Sequence, residues 1–466
     1  MSRDIKTQVA VIGGGPGGYA CAFRAADLGM EVTLIERHSV LGGVCLNVGC
    51  IPSKALLHIA EMVNESKEFA DRGVVFQPPK IDHKKLREWL STQVISQLNS
   101  GIDMLARKRK VKVVHGDVQF KGPKSLTITD GESSYTCDFE QAVIATGSSP
   151  IKLDFLPDDP RIMDSTGALE LKKIDGSMMI LGGGIIGTEM ACVYQALGVD
   201  VTICEMMDQI MPGVDAELVK VCAKTLSSRG IEICTQTKCK KVKATQKGLE
   251  VTFEDKAGKE SKKTFDQMIV AVGRRANGDK LSAESAHINV DERGVIGVDA
   301  RLMTSSEEIY AIGDVAGMNL AHEATTMGHA CAEIMAGHLK SYQKRIIPSV
   351  SYTDPEVAWA GLTEADAKAQ GVPYRVARFP WMASGRSLSH GRKDGMTKLI
   401  IHKEHNTVLG AAIVGSHAGE LIAECVLAIE MCCDVEDLAL SVHPHPTFSE
   451  TIALAAECDL GTVTDL

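Results

Sequence analysis

An apolar strand, a glycine-rich turn, a helix and a second strand ending in glutamate occur twice in this chain, at Gly13 and again at Gly182. That repeat restricts the possible folds more than any other feature. The first copy reads VAVIGGGPGGYACAFRAADLGMEVTLIE. Its Gly13, Gly15 and Gly18 form G-x-G-x-x-G directly between a strand and a helix, the setting in which the pattern carries meaning. Gly13 permits a tight turn, Gly15 lets the backbone approach a pyrophosphate, and Gly18 lets the helix pack closely on the strand. The helix N-terminus then faces the phosphates. Glu36, closing the second strand, can accept hydrogen bonds from a ribose. The second copy, SMMILGGGIIGTEMACVYQALGVDVTICE, places Gly182, Gly184, Gly187 and Glu205 in the same order. Two such folds imply two dinucleotides. Glu205 would repel a 2′-phosphate, and Met206, Met207 and Asp208 offer no arginine to receive one, so the second site is expected to take NAD rather than NADP.

At 466 residues the chain has room for roughly three domains. Its 44% hydrophobic and 24% charged content are those of a globular protein, and a formal net charge of -10 provides no field for nucleic acid or an anionic membrane. Small-molecule or protein partners fit better. Fourteen cysteines are too dilute for a disulfide scaffold, and Cys192, Cys222 and Cys425 sit in apolar stretches, as reduced core residues do. Cys432, Cys433 and Asp434 have no second Cys/His pair at ligand spacing, so no metal site is expected. A short polar stretch leads straight into the strand Gln8-Val9-Ala10-Val11-Ile12, leaving no room for a leader, and apolar runs are short or broken. A cytoplasmic protein without a transmembrane segment is the expectation.

Just after the first copy, Cys45 and Cys50 stand in GGVCLNVGCIPSK. Residues five apart cannot be bridged across a regular helix, so the turn that holds them must be distorted. Pro52 is tolerated only in an opening turn, which puts Cys50 at or near a helix N-terminus, where the dipole favours a thiolate. Lys54 lies one turn further on the same face and adds a positive charge. By spacing alone, two ordinary buried thiols remain an alternative. The neighbouring fingerprint turns the reading toward a redox-active pair beside a flavin, with Cys45 open to exchange and Cys50 turned toward the flavin.

Ala145-Thr146-Gly147-Ser148 and Ala271-Val272-Gly273-Arg274 each follow an apolar strand, and Ile309-Tyr310-Ala311-Ile312-Gly313-Asp314 puts a carboxylate at a sheet's C-terminal edge, where ligands bind. From about residue 347 the pattern changes to the strands PSVSYT, VAWAGLT, MTKLIIHKE and VLGAAIVG, with helices around 418–433 and 449–457. This part reads as an α+β domain. It closes on HPHPTFSE, in which a histidine five residues before a glutamate means little by itself.

The segments GGGPGG, GGVCLNVGCIPSKALLH, ATGS, GGGIIGTE, YAIGD, LAH, PSVSYTDPEVAWAGLTE, FPWMASGR and HPHPTFSE follow in order over essentially the whole chain. In them the chain resembles the flavin disulfide oxidoreductases, the class I pyridine nucleotide-disulfide family, and within it the members that oxidise dihydrolipoamide. The resemblance implies an α/β protein with two Rossmann-like domains and a C-terminal α+β dimerisation domain. The FAD domain would comprise 1–150 and 276–346, the NAD domain 151–275 and the interface domain 347–466. It implies FAD held by Gly13, Gly15, Gly18, Glu36, Arg37, Gly43, Val44, Lys54, Gly116, Asp117, Thr146, Gly147, Ser148, Asp314 and Ala321. Glu36 would bind the adenosine ribose, Lys54 would lie near the flavin ring and Asp314 on the ribityl chain. NAD would meet Gly182, Gly184, Ile185, Ile186, Gly187, Glu189, Glu205, Cys239, Ala271, Gly273 and Arg274, with Glu189 lining the nicotinamide pocket and able to pair with Lys54.

The same resemblance implies a homodimer in which His445, oriented by Glu450, serves as general base for the partner's disulfide. Dihydrolipoamide on a lipoyl domain, bound to the E2 core of a 2-oxo-acid dehydrogenase complex, would attack Cys45 and leave Cys50 as a thiolate. An NADPH-dependent disulfide reductase of the glutathione reductase type is the alternative, and Glu205 argues against it. Four positions depart from the family pattern. Glu323 replaces a usual lysine, Met327 a common acid, Ala276 a frequent proline and Pro444 a usual alanine. The first two should alter the field at the flavin edge.

Overall fold

The computed structural model describes residues 4–466. The chain forms two compact units, one made of residues 1–55, 82–152 and 273–344, the other of 56–81, 153–272 and 345–466. The stretch 56–81, which the sequence reading leaves in the first domain, groups with the second unit. Its Ala60 and Val63 pack with Ala196 there.

In the first unit the opening repeat forms a parallel sheet in the order Lys112–His115, Val32–Glu36, Ile5–Ile12, Ser133–Ile144, with Ile309–Ala311 beside the last. Val9, Val11, Leu34 and Val143 are fully buried, so these strands read as apolar runs rather than alternations, as expected where helices cover both faces. The hairpin Asp117–Gly122 and Ser125–Asp130 extends the sheet antiparallel from the first half of Ser133–Ile144. The helix Pro16–Asp27 opens with proline in its first position, and Arg24 on it pairs with Glu333 on the helix Ala321–Met335.

The second unit repeats the plan with strands Glu232–Cys234, Asp200–Cys204, Ser177–Leu181, Gln267–Val270 and Ile162–Met163, all parallel and in that order. A three-stranded antiparallel sheet, Thr237–Thr245, Gly248–Asp255 and Glu260–Phe265, follows the strand Glu232–Cys234 in the chain. From Ser349 onward comes an antiparallel sheet ordered Ser349–Ser351, Glu356–Gly361, Val408–Gly415, Met396–His402, Tyr374–Pro380. The helices Ala418–Glu430 and Glu450–Leu460 bury Ile422, Cys425, Ile452 and Ala455 in its core, where Trp381 stacks on Phe448 with ring centroids 5.1 Å apart. The α/β architecture and the α+β C-terminal part agree with the sequence reading.

The sequence reading of no membrane-spanning segment needs one qualification. By length and composition alone the helical run Gly43–Arg72 could cross a bilayer. Its Leu56, Leu57, Ala60 and Val63 are buried in protein, however, and Asn64 donates to Gln195, so much of its apolar face is already covered.

One charge lies inside the second unit. Lys398, on an interior strand of the antiparallel sheet, is 1% exposed, with its Nζ 2.7 Å from Asp215 and 2.5 Å from Glu217. Burial works to lower its pKa, but Asp215 and Glu217 outweigh this and hold it above the ordinary lysine value. Asp215 is the N-cap of the helix Ala216–Ser228, so the ion pair ties that helix to the sheet. Lys398→Ala would leave buried carboxylates unpaired and is expected to cost about 3–5 kcal/mol. A urea midpoint equal to the parent's would refute this.

Candidate active site

Both glycine turns are built to the same dimensions. Gly13 and Gly182 have φ of 106° and 105°, a left-handed geometry that disfavours any side chain. A Cβ on Gly18 would lie 1.8 Å from the Gly13 carbonyl oxygen, and one on Gly187 2.0 Å from that of Gly182. The acids at the strand ends also match. Glu36 accepts from Gly14 N at 2.7 Å and His38 N at 2.9 Å, while Glu205 accepts from Gly183 N at 2.7 Å and Met207 N at 2.8 Å. Each carboxylate therefore fixes its own turn and keeps further lone pairs for a ribose.

The cysteine-bearing loop is laid directly on the first turn. Gly42 N donates to Gly14 O at 2.8 Å, and a Cβ on Gly43 would come within 2.6 Å of the Gly15 Cα. Residues Gly43–Val48 make a short helix, Gly49 breaks it, and Cys50 begins the helix Cys50–Glu68 with Pro52 in its opening turn. The distortion expected from the spacing is this break. Two asparagines hold the loop. Asn47 donates to Gly43 O at 2.9 Å, and Asn99 donates to Leu41 O at 2.8 Å and to Asn47 Oδ1 at 3.0 Å. Sequence reading missed both; Asn99, 8% exposed, leaves no motif because it is one polar residue on the inner face of the helix Ser96–Lys108.

Cys45 and Cys50 are both thiols in this structure. A hydrogen bond with Cys50, then burial, then the charge of Cys50 hold the Cys45 thiol far above the ordinary cysteine range, against an opposing pull from Lys54. Cys50, at the head of the helix, sits where the dipole favours negative charge. Cys50 is exposed and Cys45 half-buried on the polypeptide, because Cys45 lies inside the bend closed by Gly43 and Asn47. Tyr19, not foreseen as a neighbour, has its phenol raised by burial first and then by the nearby Cys45.

The remaining first-unit residues gather at the strand ends. Arg274 donates to the Ser148 hydroxyl and carbonyl, both at 2.7 Å, and Ser148 donates to Asp314. Arg274, assigned from the sequence to the NAD site, is thus tied to the Thr146–Ser148 turn of the first unit. Thr146 Oγ1 is buried with no protein partner among the described residues, and Gly147 beside it has open space over its α-carbon. This orphaned hydroxyl and the glycine cradle fit a dinucleotide lying across the turn. Arg37 pairs with Asp117 at 2.6 Å, next to Gly116, whose N–H donates to Glu36 O at 3.0 Å. Val44 is exposed in the cysteine loop, and Ala321 begins the helix that carries Glu323 and Met327. Both departures are buried. Met327 packs into the apolar core, while Glu323 adds to the burial that raises the Tyr342 phenol.

In the second unit the helix Ile185–Ala196 starts at Gly184, with Ile185 half-buried and Ile186 exposed. Glu189 is 3% exposed and accepts from Tyr352 N at 3.0 Å. Ala271 continues the strand beside the fingerprint and brings its carbonyl against Gly182, and Gly273 takes a φ of 127°. Cys239 is buried in the core of the antiparallel sheet, and burial pushes its thiol up to about 11.

Near the C-terminus, His445 Nδ1 lies 2.8 Å from Glu450 Oε1, and Glu450 Oε2 accepts from Thr447 N at 2.6 Å. The His445 side chain is 79% exposed, so the edge of its ring opposite Glu450 is open to a thiol. His443, in contrast, is 10% exposed with both ring nitrogens engaged. Of the two histidines only His445 is free to act as a base.

Residues 7–328 match the family model for pyridine nucleotide-disulphide oxidoreductases, and residues 347–456 match the model for the dimerisation domain of the same family. The dihydrolipoyl dehydrogenase of Vibrio cholerae serotype O1 is 49% identical over 100% of this chain and 98% of its own. That of Haemophilus influenzae is 47% identical over the same shares. Among solved structures, the copper(II) complex of the HOCl-induced flavoprotein disulfide reductase RclA from Escherichia coli aligns with a TM-score of 0.87 and 25% identity, covering 97% of this chain and 99% of that one. The repeated dinucleotide turns, the cysteine pair laid on the first of them and these full-length matches converge, and the chain belongs to the pyridine nucleotide-disulphide oxidoreductase family.

Proposed function

We propose that this protein oxidises protein-bound dihydrolipoamide to lipoamide and reduces NAD, working as a homodimer and as the E3 component of a 2-oxo-acid dehydrogenase complex. The observation that carries this reading is the cysteine pair. Cys50 heads a helix, Cys45 keeps its proton, and both lie on the glycine turn of the first unit. FAD bound in that cradle would relay two electrons from the pair to NAD at the second cradle. Gly13, Gly15, Gly18, Glu36, Thr146 and Asp314 are the residues placed to hold it; Gly182, Gly184, Gly187 and Glu205 are placed for NAD.

The substrate half-reaction starts from the Cys45–Cys50 disulfide. The partner subunit's His445, oriented by Glu450, takes a proton from the first thiol of dihydrolipoamide. The resulting thiolate attacks Cys45 Sγ, forming a mixed disulfide and displacing Cys50 as a thiolate. The second substrate thiol, deprotonated in turn, closes the lipoamide disulfide and expels Cys45, which takes back a proton as its raised pKa favours. Two thiols have become one disulfide, and the two electrons now on the cysteine pair leave as a hydride that converts NAD to NADH. Lys54, one turn along the helix, stabilises the negative charge held meanwhile on Cys50. Eight of the fourteen cysteines are buried, as reduced core residues are, which suits a reducing compartment, so we place the protein in the cytoplasm.

Purified protein assayed with dihydrolipoamide and NAD should react far faster than with glutathione disulfide and NADPH; the reverse order would overturn the assignment. Cys50→Ser is expected to abolish NAD reduction by dihydrolipoamide while flavin absorbance is retained, and full activity in that variant would sink the scheme. His445→Gln should lower the same reaction by about 10²–10⁴-fold. NADH oxidation by ferricyanide, which bypasses the cysteines, should be untouched, and an equal loss in both assays would count against His445 as the base. Glu205→Ala should cut kcat/KM for NAD roughly tenfold and narrow the preference over NADP, since removing a ribose acceptor costs on the order of one to two kcal/mol. An unchanged NAD/NADP ratio would show that Glu205 does not set it.

A further inference from the structure

The loop that presents His445 has almost no backbone support. Among the described residues, no N–H between Val442 and Thr447 donates to another backbone carbonyl. Pro444 and Pro446 have no N–H at all. Val442, at the start of the loop, is 98% exposed. Side chains must therefore take over the task of holding it. On the C-terminal side, Glu450 on the helix Glu450–Leu460 binds both His445 and the Thr447 N–H, and Thr447 Oγ1 donates to Pro444 O at 2.8 Å.

On the N-terminal side there is one comparable tether. His443 Nε2 lies 2.7 Å from Glu424 Oε1 on the helix Ala418–Glu430, and His443 Nδ1 lies 2.8 Å from the Ser441 carbonyl. Both ring nitrogens are therefore engaged, one by the main chain and one by a carboxyl group on another helix. His443 is 10% exposed and Glu424 34%, so water competes weakly for this bond.

We infer that His443 and Glu424 are a positioning pair for the reaction proposed above, fixing the loop from its N-terminal side so that the His445 ring meets the substrate thiol at a set distance and angle. The pair touches neither substrate nor cofactor and acts only through His445. A general base must come within hydrogen-bond reach of the proton that it removes, and a displacement of about 1 Å can cost as much as a hundredfold in rate. Glu424→Gln keeps the shape of the side chain but removes the charge from the tether.

The test uses full-length, flavin-loaded Glu424→Gln, with His443→Gln as a second variant that loses both bonds. Turnover with dihydrolipoamide and NAD is expected to fall roughly ten- to hundredfold in kcat with little change in KM, while NADH oxidation by ferricyanide stays at the parent rate. Limited proteolysis between Ser441 and Glu450 should quicken in both variants. An unchanged kcat, or equal losses in both activities, would overturn the positioning role, as would unchanged proteolysis. A parent protein unable to reduce NAD with dihydrolipoamide would overturn the functional reading instead, and proteolysis would still decide whether Glu424 anchors the loop.

Discussion

The close backbone approach at the first glycine turn is the contact on which the chemistry depends. Gly18 lies against the Gly13 carbonyl, and Gly43 of the cysteine loop lies against Gly15, each nearer than any Cβ would allow. Glu36 then clamps the turn through Gly14 N. One side of this contact is a surface on which a pyrophosphate can rest at a helix N-terminus. The other side carries Cys45 and Cys50. Electron transfer needs the cysteines beside the cofactor, and the two are brought together by main chain lying on main chain rather than by long side chains that could swing away.

The cysteines are then made unequal by local structure. Gly49 interrupts the helix between them, so Cys45 ends inside a bend and Cys50 at a helix start. Burial and the neighbouring sulfur keep a proton on Cys45, while the helix dipole and Lys54 favour charge on Cys50. A symmetrical dithiol has no preferred direction of attack. In the proposed reaction this one would return the proton to Cys45 and leave the electron pair on Cys50. The asparagines 47 and 99 serve the same end by fixing the bend with hydrogen bonds to the carbonyls of Gly43 and Leu41.

Positions that depend on short-range pattern were legible in the sequence. The two fingerprints with their terminal acids, the break before Cys50 and the choice of His445 over His443 follow from spacing, from proline and glycine, or from resemblance. Residues whose role depends on what lies opposite were not. Asn99 sits on an otherwise ordinary amphipathic helix, and Glu424 on a helix far from the histidine loop along the chain. Lys398, one cation on an apolar strand, gives no sign that Asp215 and Glu217 will surround it. Nor does the sequence show that Cys239 packs among the apolar residues of the antiparallel sheet or that Arg274 bonds to Ser148.

By itself the sequence determined the repeat and hence two parallel sheets with a turn for a dinucleotide on each, because a G-x-G-x-x-G between strand and helix has few other solutions. It also supplies the strand-end carboxylate, with no arginine following, on which the proposed preference for NAD over NADP rests. Only the tertiary structure decided which cysteine is buried, which partners fill the hydrogen bonds of a proline-broken loop, and which charges are paired inside the second unit. Those outcomes depend on distances between segments far apart in the chain, and burial and pairing energies are set by such distances rather than by any residue's neighbours in sequence.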